Sequence, residues 1–336
     1  MATRYWIGTT DNWTTTTNWS DSTVPVTGDD IIFDGRAVTA PATNVETNDD
    51  FASVTVMSSY TLGMGGAGAN EQVQFQCSGT VLIEGTGTYY LKCGDTTAAD
   101  TDIVKTIINT TGTVYLASEK NAGAGNISEW TTVIVQNGTV YLYGGADGKG
   151  DASQEGCWVQ NLYLAPKLGG NVTVNVGDEC EDYKNGEQMT IVVAGGTLNI
   201  SSDIDTITQF AGTVNAGTDV YSMDADDDNI ATINLYGGTF NWLPSVVTGA
   251  TPPLTAGTRT TASASPSITT LNMYKGTFSA ASMLETLTTN PTIATCNLHE
   301  RAVLNLDNSY NNFTVTTLND FGGTIQKGAK QSLTIS

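Results

Sequence analysis

The chain has 336 residues, enough to bury a large hydrophobic core, and only 14% of them are charged. Asp and Glu total 34 against 13 Lys and Arg, and the resulting net charge of −21 argues against nucleic acid or an anionic membrane as a partner. The 36 Gly indicate frequent turns, and the abundance of Thr, Asn and Val favours an all-β fold over a helical one.

Residues 1–36 form an N-terminal segment that does not follow the repeat found downstream. It contains Trp6, Trp13 and Trp19, and it ends in Gly28-Asp29-Asp30-Ile31-Ile32-Phe33. The first unit of a repeat stack exposes apolar side chains and an unpaired strand edge, so we expect the three Trp to cap that end. An attachment segment is the alternative for residues 1–36. The start of the chain lacks the apolar stretch of a signal peptide, and we expect folding in a cytoplasm.

A repeated strand that begins with Gly-Thr marks residues 37–336 as one repeat domain. Gly112 and Gly138 are as far apart along the chain as Gly212 and Gly238 are, which indicates a regular repeat length. Each copy alternates apolar and polar residues, which places one face inward and one outward. The copies begin at Gly112, Gly138, Gly196, Gly212, Gly238 and Gly276.

A second strand precedes the Gly-Thr strand and keeps Thr, an apolar residue, Asn and an aromatic residue at fixed positions. Its four copies start at Thr232, Thr270, Thr295 and Thr317. In a parallel β-helix, equivalent residues of successive coils stack about 4.8 Å apart, so that Asn bonds to Asn and ring stacks on ring. We therefore predict an all-β parallel β-helix, a solenoid with a non-repeat N-terminal cap.

An antiparallel β-meander or sandwich is the alternative architecture. Asn137-Gly138, Gly195-Gly196 and Gly237-Gly238 lie between alternating strands and are strong hairpin signals. The interval from Gly196 to Gly212 is also much shorter than the other repeats, and it is short for a three-sided coil. Either that coil has two sides, or Gly212 opens a different sheet.

Long polar insertions follow the Gly-Thr strands, whereas the corner before these strands stays short. Insertions after the same strand are expected along one edge of the solenoid, where grouped loops commonly carry recognition. No stretch of the sequence shows convincing helical periodicity beyond a turn or two around Ser282 to Leu287. The insertions are 117–129, 144–155, 177–188, 217–229 and the Pro- and Thr-rich 244–267.

The strongest candidate for a metal site is the acidic stretch Asp224-Ala225-Asp226-Asp227-Asp228-Asn229. Asp224, Asp226 and Asp228 alternate as at the start of a calcium loop, and hard cations bind clustered carboxylates. The Gly and Glu of an EF-hand are missing at the sixth and twelfth positions. A solvated acidic loop is the alternative, and residues 178–182 are a weaker candidate of the same kind. No other cofactor is predicted.

Nothing in the sequence singles out a catalytic group, and we predict that the protein is not an enzyme. His299 is the single His, but it occupies the position of Tyr236, Tyr274 and Phe321 in neighbouring repeats, which predicts a ring in an aromatic stack. Cys296 takes the position of core residues. The five Cys have no metal-ligand spacing, which predicts reduced, mostly buried thiols. A carboxylate pair of a glycosidase cannot be picked out among 34 acidic residues.

The chain ends in the alternating strand Gln331 to Ser336, with no polar cap after it. Such an end leaves unpaired backbone groups and apolar side chains open to another chain. We predict that this end is buried against a partner, either copies of the same chain around a symmetry axis or another protein of an assembly. The alternative is that a loop of the same chain folds over this end.

The start Met1-Ala2-Thr3-Arg4-Tyr5-Trp6, the Asn18-Trp19-Ser20 and Gly28-Asp29-Asp30 motifs and the Gly-Thr repeats together resemble a group of tailed-bacteriophage virion proteins. The specific part of the resemblance lies in the N-terminal segment, up to Gly35. It implies a virion structural role, as a capsid-surface decoration protein, a head fibre or a tail-associated protein, with other virion proteins as partners. A receptor-binding spike or polysaccharide depolymerase acting on a host-surface glycan is the alternative.

Overall fold

The computed structural model describes residues 1–42, 46–66, 72–94, 102–118, 129–142, 157–177, 180, 189–200, 204–217, 229–242, 246–248, 258–260, 266–280, 290–307, 312–328 and 333–335. Within them the chain forms β-strands and a single turn of 3-10 helix, Thr16–Asn18. The strands are β1 (Thr3–Trp6), β2 (Asp30–Phe33), β3 (Glu46–Val56), β4 (Val73–Ile83), β5 (Thr88–Cys93), β6 (Ile103–Ser118), β7 (Trp130–Leu142), β8 (Val159–Leu164), β9 (Val172–Val176), β10 (Thr190–Val193), β11 (Thr197–Ile200), β12 (Ile204–Gln209), β13 (Thr213–Ala216), β14 (Ile230–Leu235), β15 (Thr239–Trp242), β16 (Val246–Thr248), β17 (Thr258–Thr260), β18 (Ser267–Ser279), β19 (Thr292–Leu306), β20 (Phe313–Phe321), β21 (Thr324–Lys327) and β22 (Leu333–Ile335).

The strands stack in parallel into a β-solenoid with two principal sheets, so the predicted β-helix is confirmed and the antiparallel meander is wrong. Sheet I runs β1, β2, β3, β4, β6, β7, β8, β10, β12, β14, β18, β19, β20, β22. Sheet II runs from the first residues of β4 through β5, β6, β7, β9, β11, β13, β15, β18, β19 and β21. The long strands β6, β7, β18 and β19 bend at a corner and belong to both sheets.

Alternation along each strand places columns of apolar side chains inside the solenoid. Ile233, Leu271 and Cys296 lie in register and are fully buried, as the sequence predicts for that position. Phe240 and Phe278 of sheet II stack inside at 5.4 Å between ring centroids. These residues belong to one core cluster that extends from Trp6 to Val315.

Glycine at the start of the Gly-Thr strands forms the corner between sheets I and II. Gly212, Gly238 and Gly276 have positive φ angles of 80°, 84° and 99°, which residues with a Cβ rarely adopt. A Cβ on Gly238 would also lie 2.5 Å from the carbonyl oxygen of Gly212 in the preceding coil. The chain therefore needs glycine here for the turn and for the close stacking of successive corners.

The short coil between Gly196 and Gly212 is explained by the same two sheets. Thr190 of β10 pairs with Thr206 of β12, and Thr197 of β11 pairs with Thr213 of β13. Both pairings span the same interval along the chain as the two glycines, so this coil has two sides and Gly212 does not open a different sheet. Longer coils have additional residues between the end of a sheet II strand and the next sheet I strand.

The residues around the three Trp close the first end of the stack. β1 and β2 already pair in parallel with the rest of sheet I, and the outer edge of β1 is bonded to residues 18–20, including Ile7 N–H to Asn18 O at 2.8 Å and Ser20 N–H to Tyr5 O at 3.0 Å. Trp13 is buried, with ring centroids 4.8 Å from Trp19 and 5.9 Å from Trp6. The domain boundary at residue 36 stays a prediction.

The long insertions begin and end at strand ends that lie in register. Leu116, Leu142 and Val176 are in register near the end of sheet II, and the sheet I strands β6, β7 and β8 start in register with one another. The insertions therefore leave the stack at one edge. Most of their residues lie outside the described residues, although β16 and β17 within 244–267 form an antiparallel pair. The stretch Ser282 to Leu287 also lies outside the described residues.

Candidate functional surface

Regular columns of polar side chains cover the outward face of sheet I in its later coils. In the four coils that contain β14, β18, β19 and β20, the Asn side chains form a hydrogen-bonded ladder. The Nδ2 of Asn272 donates to Asn234 at 2.9 Å, that of Asn297 to Asn272 at 2.7 Å, and that of Asn319 to Asn297 at 2.8 Å. The predicted Asn ladder is confirmed.

A second ladder lies on the outward face of sheet II. Asn199 donates to Asn175, Asn215 to Asn199, and Asn241 to Asn215, each at 2.8 Å. Beside it a column of Thr continues in register from β5 to β18. Its members are Thr88, Thr113, Thr139, Thr173, Thr197, Thr213, Thr239 and Thr277.

Rings stack along the solenoid axis at the corner between the two sheets. The aromatic ladder consists of Phe210, Tyr236, Tyr274, His299 and Phe321, with successive ring centroids 5.2, 4.6, 4.8 and 4.8 Å apart. The predicted place of His299 in this stack is confirmed. Phe210 was missed by the sequence analysis because its strand carries Thr208 instead of Asn, which hides the shared pattern.

The aromatic ladder is unusually exposed for so many large side chains. Phe210, Tyr236, Tyr274 and Phe321 are 52%, 42%, 40% and 56% exposed. The rings stack face to face, so their edges point to solvent and their faces contact one another. A second stack on sheet II, Tyr90, Tyr115 and Tyr141 at 4.5 and 4.8 Å, is better covered. The sequence signal for this second stack is the Val-Tyr-Leu that β6 and β7 share at Tyr115 and Tyr141.

The chain matches no protein-family model, no curated protein and no solved structure. The function must therefore be inferred from the residues of the chain itself.

The five cysteine thiols are reduced and buried, as predicted. Burial raises the pKa of Cys77 to about 11 and that of Cys296 to about 12, and it raises the pKa of Cys93 as well. A thiol is a nucleophile only as the thiolate, so these three groups are poor nucleophiles at neutral pH. Cys296 points into the core, whereas His299 lies in the exposed aromatic ladder.

The predicted calcium ligands Asp224, Asp226 and Asp228 lie outside the described residues, as do the acidic residues of 178–182. Within the described part of the chain, no group of three or more His, Cys, Asp or Glu is arranged to hold a metal ion. The calcium site stays a prediction. Among these same residues, no helix is long and apolar enough to cross a membrane.

One ionic cluster fixes the first strand to the second. Asp29 accepts hydrogen bonds from Arg4 Nε at 2.9 Å, from the Ala2 N–H at 2.8 Å and from the Val26 N–H at 3.3 Å, and Arg4 also pairs with Asp21. Burial would raise the pKa of Asp29, but these hydrogen bonds outweigh it and hold the pKa below its usual value. The cluster stabilises the N-terminal end and has no evident catalytic geometry.

Proposed function

We propose that the protein is a structural component of a tailed-bacteriophage virion, either a capsid-surface decoration protein or a fibre. The observation that carries this proposal is the unbroken register of the Thr column from Thr88 to Thr277. Side chains that hydrogen-bond or stack with their equivalents in the next coil stiffen the solenoid along its axis. A solenoid that is stiff along its axis has the mechanical property that a protein projecting from a virus particle needs. The N-terminal resemblance to virion proteins supports the same role.

The two ends of the rod differ, which suggests how it attaches. The first end is closed by the Trp cluster and by residues 18–20. In the last coils the inward residues Leu318 and Ile325 are only partly buried, whereas Cys296 and Leu304 in the preceding coil are fully buried. Open apolar side chains at a strand edge favour contact with another protein. We therefore place the contact with a capsid or tail protein at the C-terminal end.

Mass spectrometry of purified particles tests the proposal. Particles of the phage that encodes the chain should contain it in many copies, and they should retain it through a density gradient. Deleting its gene should then give particles that lack the protein but keep the major capsid and tail proteins, as the matched control. Absence of the protein from wild-type particles would exclude the virion role.

A host-surface glycan ligand is the second candidate, and the single edge from which the insertions leave favours it. In this case the protein is a receptor-binding spike or a depolymerase. Incubation with host polysaccharide, followed by an assay for reducing ends and by binding to immobilised glycan, separates the two activities. Neither binding nor cleavage is expected if the protein is only structural.

A further inference from the structure

The outward face of sheet I has almost no charge over nine successive coils. Each coil from β6 to β20 presents three alternating outward positions, from Lys105, Ile107 and Asn109 to Thr317, Asn319 and Phe321. Lys105 is the only Lys, Arg, Asp or Glu among these described positions, and the carboxylate of the neighbouring Asp205 accepts a hydrogen bond from the hydroxyl of Thr206 on the same face. Because the chain has 34 acidic residues, this face is where another acidic protein can approach with the least electrostatic repulsion.

One apolar or aromatic side chain per coil follows this face along its length. In the earlier coils these are Ile107, Ile134, Tyr163 and Val192, all partly exposed at the middle outward position. In the later coils the line continues at the corner position as the aromatic ladder, Phe210 to Phe321. We call these nine residues the seam.

We infer that the seam is the interface through which two copies of this chain pack side by side. The seam is long and narrow, and its period is the spacing between coils, about 4.8 Å. Another copy has the same period, so it can contact every coil, with sheet I packed on sheet I as in a β-sandwich. A small globular partner would cover only part of a line that is about 38 Å long.

The area of the face is sufficient for a stable dimer. Nine coils at about 4.8 Å and three positions at about 6.6 Å, with the reach of the side chains, give about 800 Å² per copy. A standard protein interface buries about the same area on each partner. The exposed tyrosines add side chains that are enriched at the centres of such interfaces.

The net charge of −21 predicts an unusual salt dependence. Two copies repel each other at long range, whereas the seam itself is held by apolar contacts. Added salt should therefore strengthen the association, whereas it would weaken an interface made of ion pairs. Raising NaCl from about 50 to about 500 mM should lower the dissociation constant by about ten-fold, an order-of-magnitude expectation from charge screening.

The decisive test compares two matched valines. Val192 lies on the seam, and Val303 is an equally outward, partly exposed strand residue on sheet II. In sedimentation experiments, the native protein should associate into dimers. The dissociation constant of Val192→Asp should be about ten-fold higher than that of the native protein, and that of Val303→Asp should be unchanged. A monomeric native protein would overturn the inference, as would equal behaviour of the two variants. Neither outcome depends on the virion role, which the particle analysis tests separately.

Cysteine cross-linking gives a second test that avoids a charge in a strand. The five native Cys are buried, so the native chain is a control without an accessible thiol. A short bismaleimide should join Val192→Cys into a covalent dimer and leave Val303→Cys monomeric. Cross-linking of Val303→Cys alone, or of neither variant, would show that sheet I does not face another copy. Circular dichroism of each variant checks that the solenoid is folded.

Discussion

At the scale of single residues, inward and outward positions contribute differently to stability. Phe240 is fully buried and stacks on Phe278, so Phe240→Ala removes a large apolar side chain and leaves a cavity. We expect a loss of about 3–5 kcal/mol in the free energy of unfolding. Asn234 is partly exposed and accepts one ladder hydrogen bond from Asn272, so Asn234→Ala should cost about 1 kcal/mol.

Denaturant unfolding of the two variants beside the native protein measures both losses. Asn241→Ala, in the ladder on sheet II, is the control for Asn234→Ala and should lose a similar amount. Equal losses for Phe240→Ala and Asn234→Ala, or a larger loss for the Asn, would contradict the assignment of faces.

The sequence predicted these residue positions because alternation and in-register repetition are local signals. The aligned strands predicted that Cys296 lies at a core position and that His299 lies in the aromatic stack, and the structure confirms both positions. Phe210 and Tyr90 were missed, since each ring belongs to a strand whose other residues depart from the pattern. The candidate calcium ligands gave no repeat signal at all, and they lie outside the described residues.

At the scale of elements, Asp29 holds β1 against β2, and its role should depend on pH. Removing its carboxylate leaves Arg4 and two backbone N–H groups with weaker acceptors, so Asp29→Asn should cost about 1–3 kcal/mol at pH 7. The pKa of Asp29 is lower in the folded chain than its usual value near 3.8. Its contribution is therefore fully present above that value and is lost as the pH falls through the lower, folded-state pKa.

Thermal or denaturant unfolding between pH 7 and pH 2 measures this difference. The difference in the free energy of unfolding between the native protein and Asp29→Asn should be constant near neutral pH and should become smaller only below about pH 4. Asp307→Asn, which changes an exposed carboxyl, is the control and should change stability little at any pH. If this difference in the free energy of unfolding stays constant down to pH 2, the charge of the carboxylate is not what stabilises β1.

Element boundaries were harder to predict where one local signal fits two structures. Asn137-Gly138 is typical of a hairpin, yet Gly138, with φ of 107°, is a corner between two parallel sheets. Both turns need a positive φ, so the dipeptide alone could not decide between them. The parallel pairing of β1 and β2 was likewise missed, although the interval from Thr3 to its partner Asp30 is close to the repeat length. The residues of the Trp cluster hide it.

At the scale of the whole molecule, the register creates surfaces that no stretch of sequence contains. The seam joins residues such as Phe210, Tyr236 and Tyr274, which become neighbours only when the coils are stacked. The sequence predicted the stack, and from it the ladders, but not which face lacks charge. Which face lacks charged residues depends on which residue points outward at each position of every coil.

A solenoid is held together by contacts between neighbouring coils, so its two ends can open independently. The first end is closed by Trp13 and its neighbours, whereas Leu318 and Ile325 are partly exposed at the other end. We expect the isolated protein to open first at its C-terminal end. Amide hydrogens of β20 should exchange on the order of ten-fold or more faster than those of β2, a difference of about 1.4 kcal/mol in opening free energy.

Hydrogen exchange followed by mass spectrometry measures both ends in one experiment. Trp13→Ala is the matched perturbation, because it removes a buried ring from the first end and leaves the last coils unchanged. It should speed exchange in β2 and β3 while β20 exchanges as in the native protein, since coils distant from the change keep their own neighbours. Faster exchange throughout the chain after this substitution would mean that the solenoid unfolds as one unit. Greater protection in β20 than in β2 of the native protein would mean that the C-terminal end is already covered.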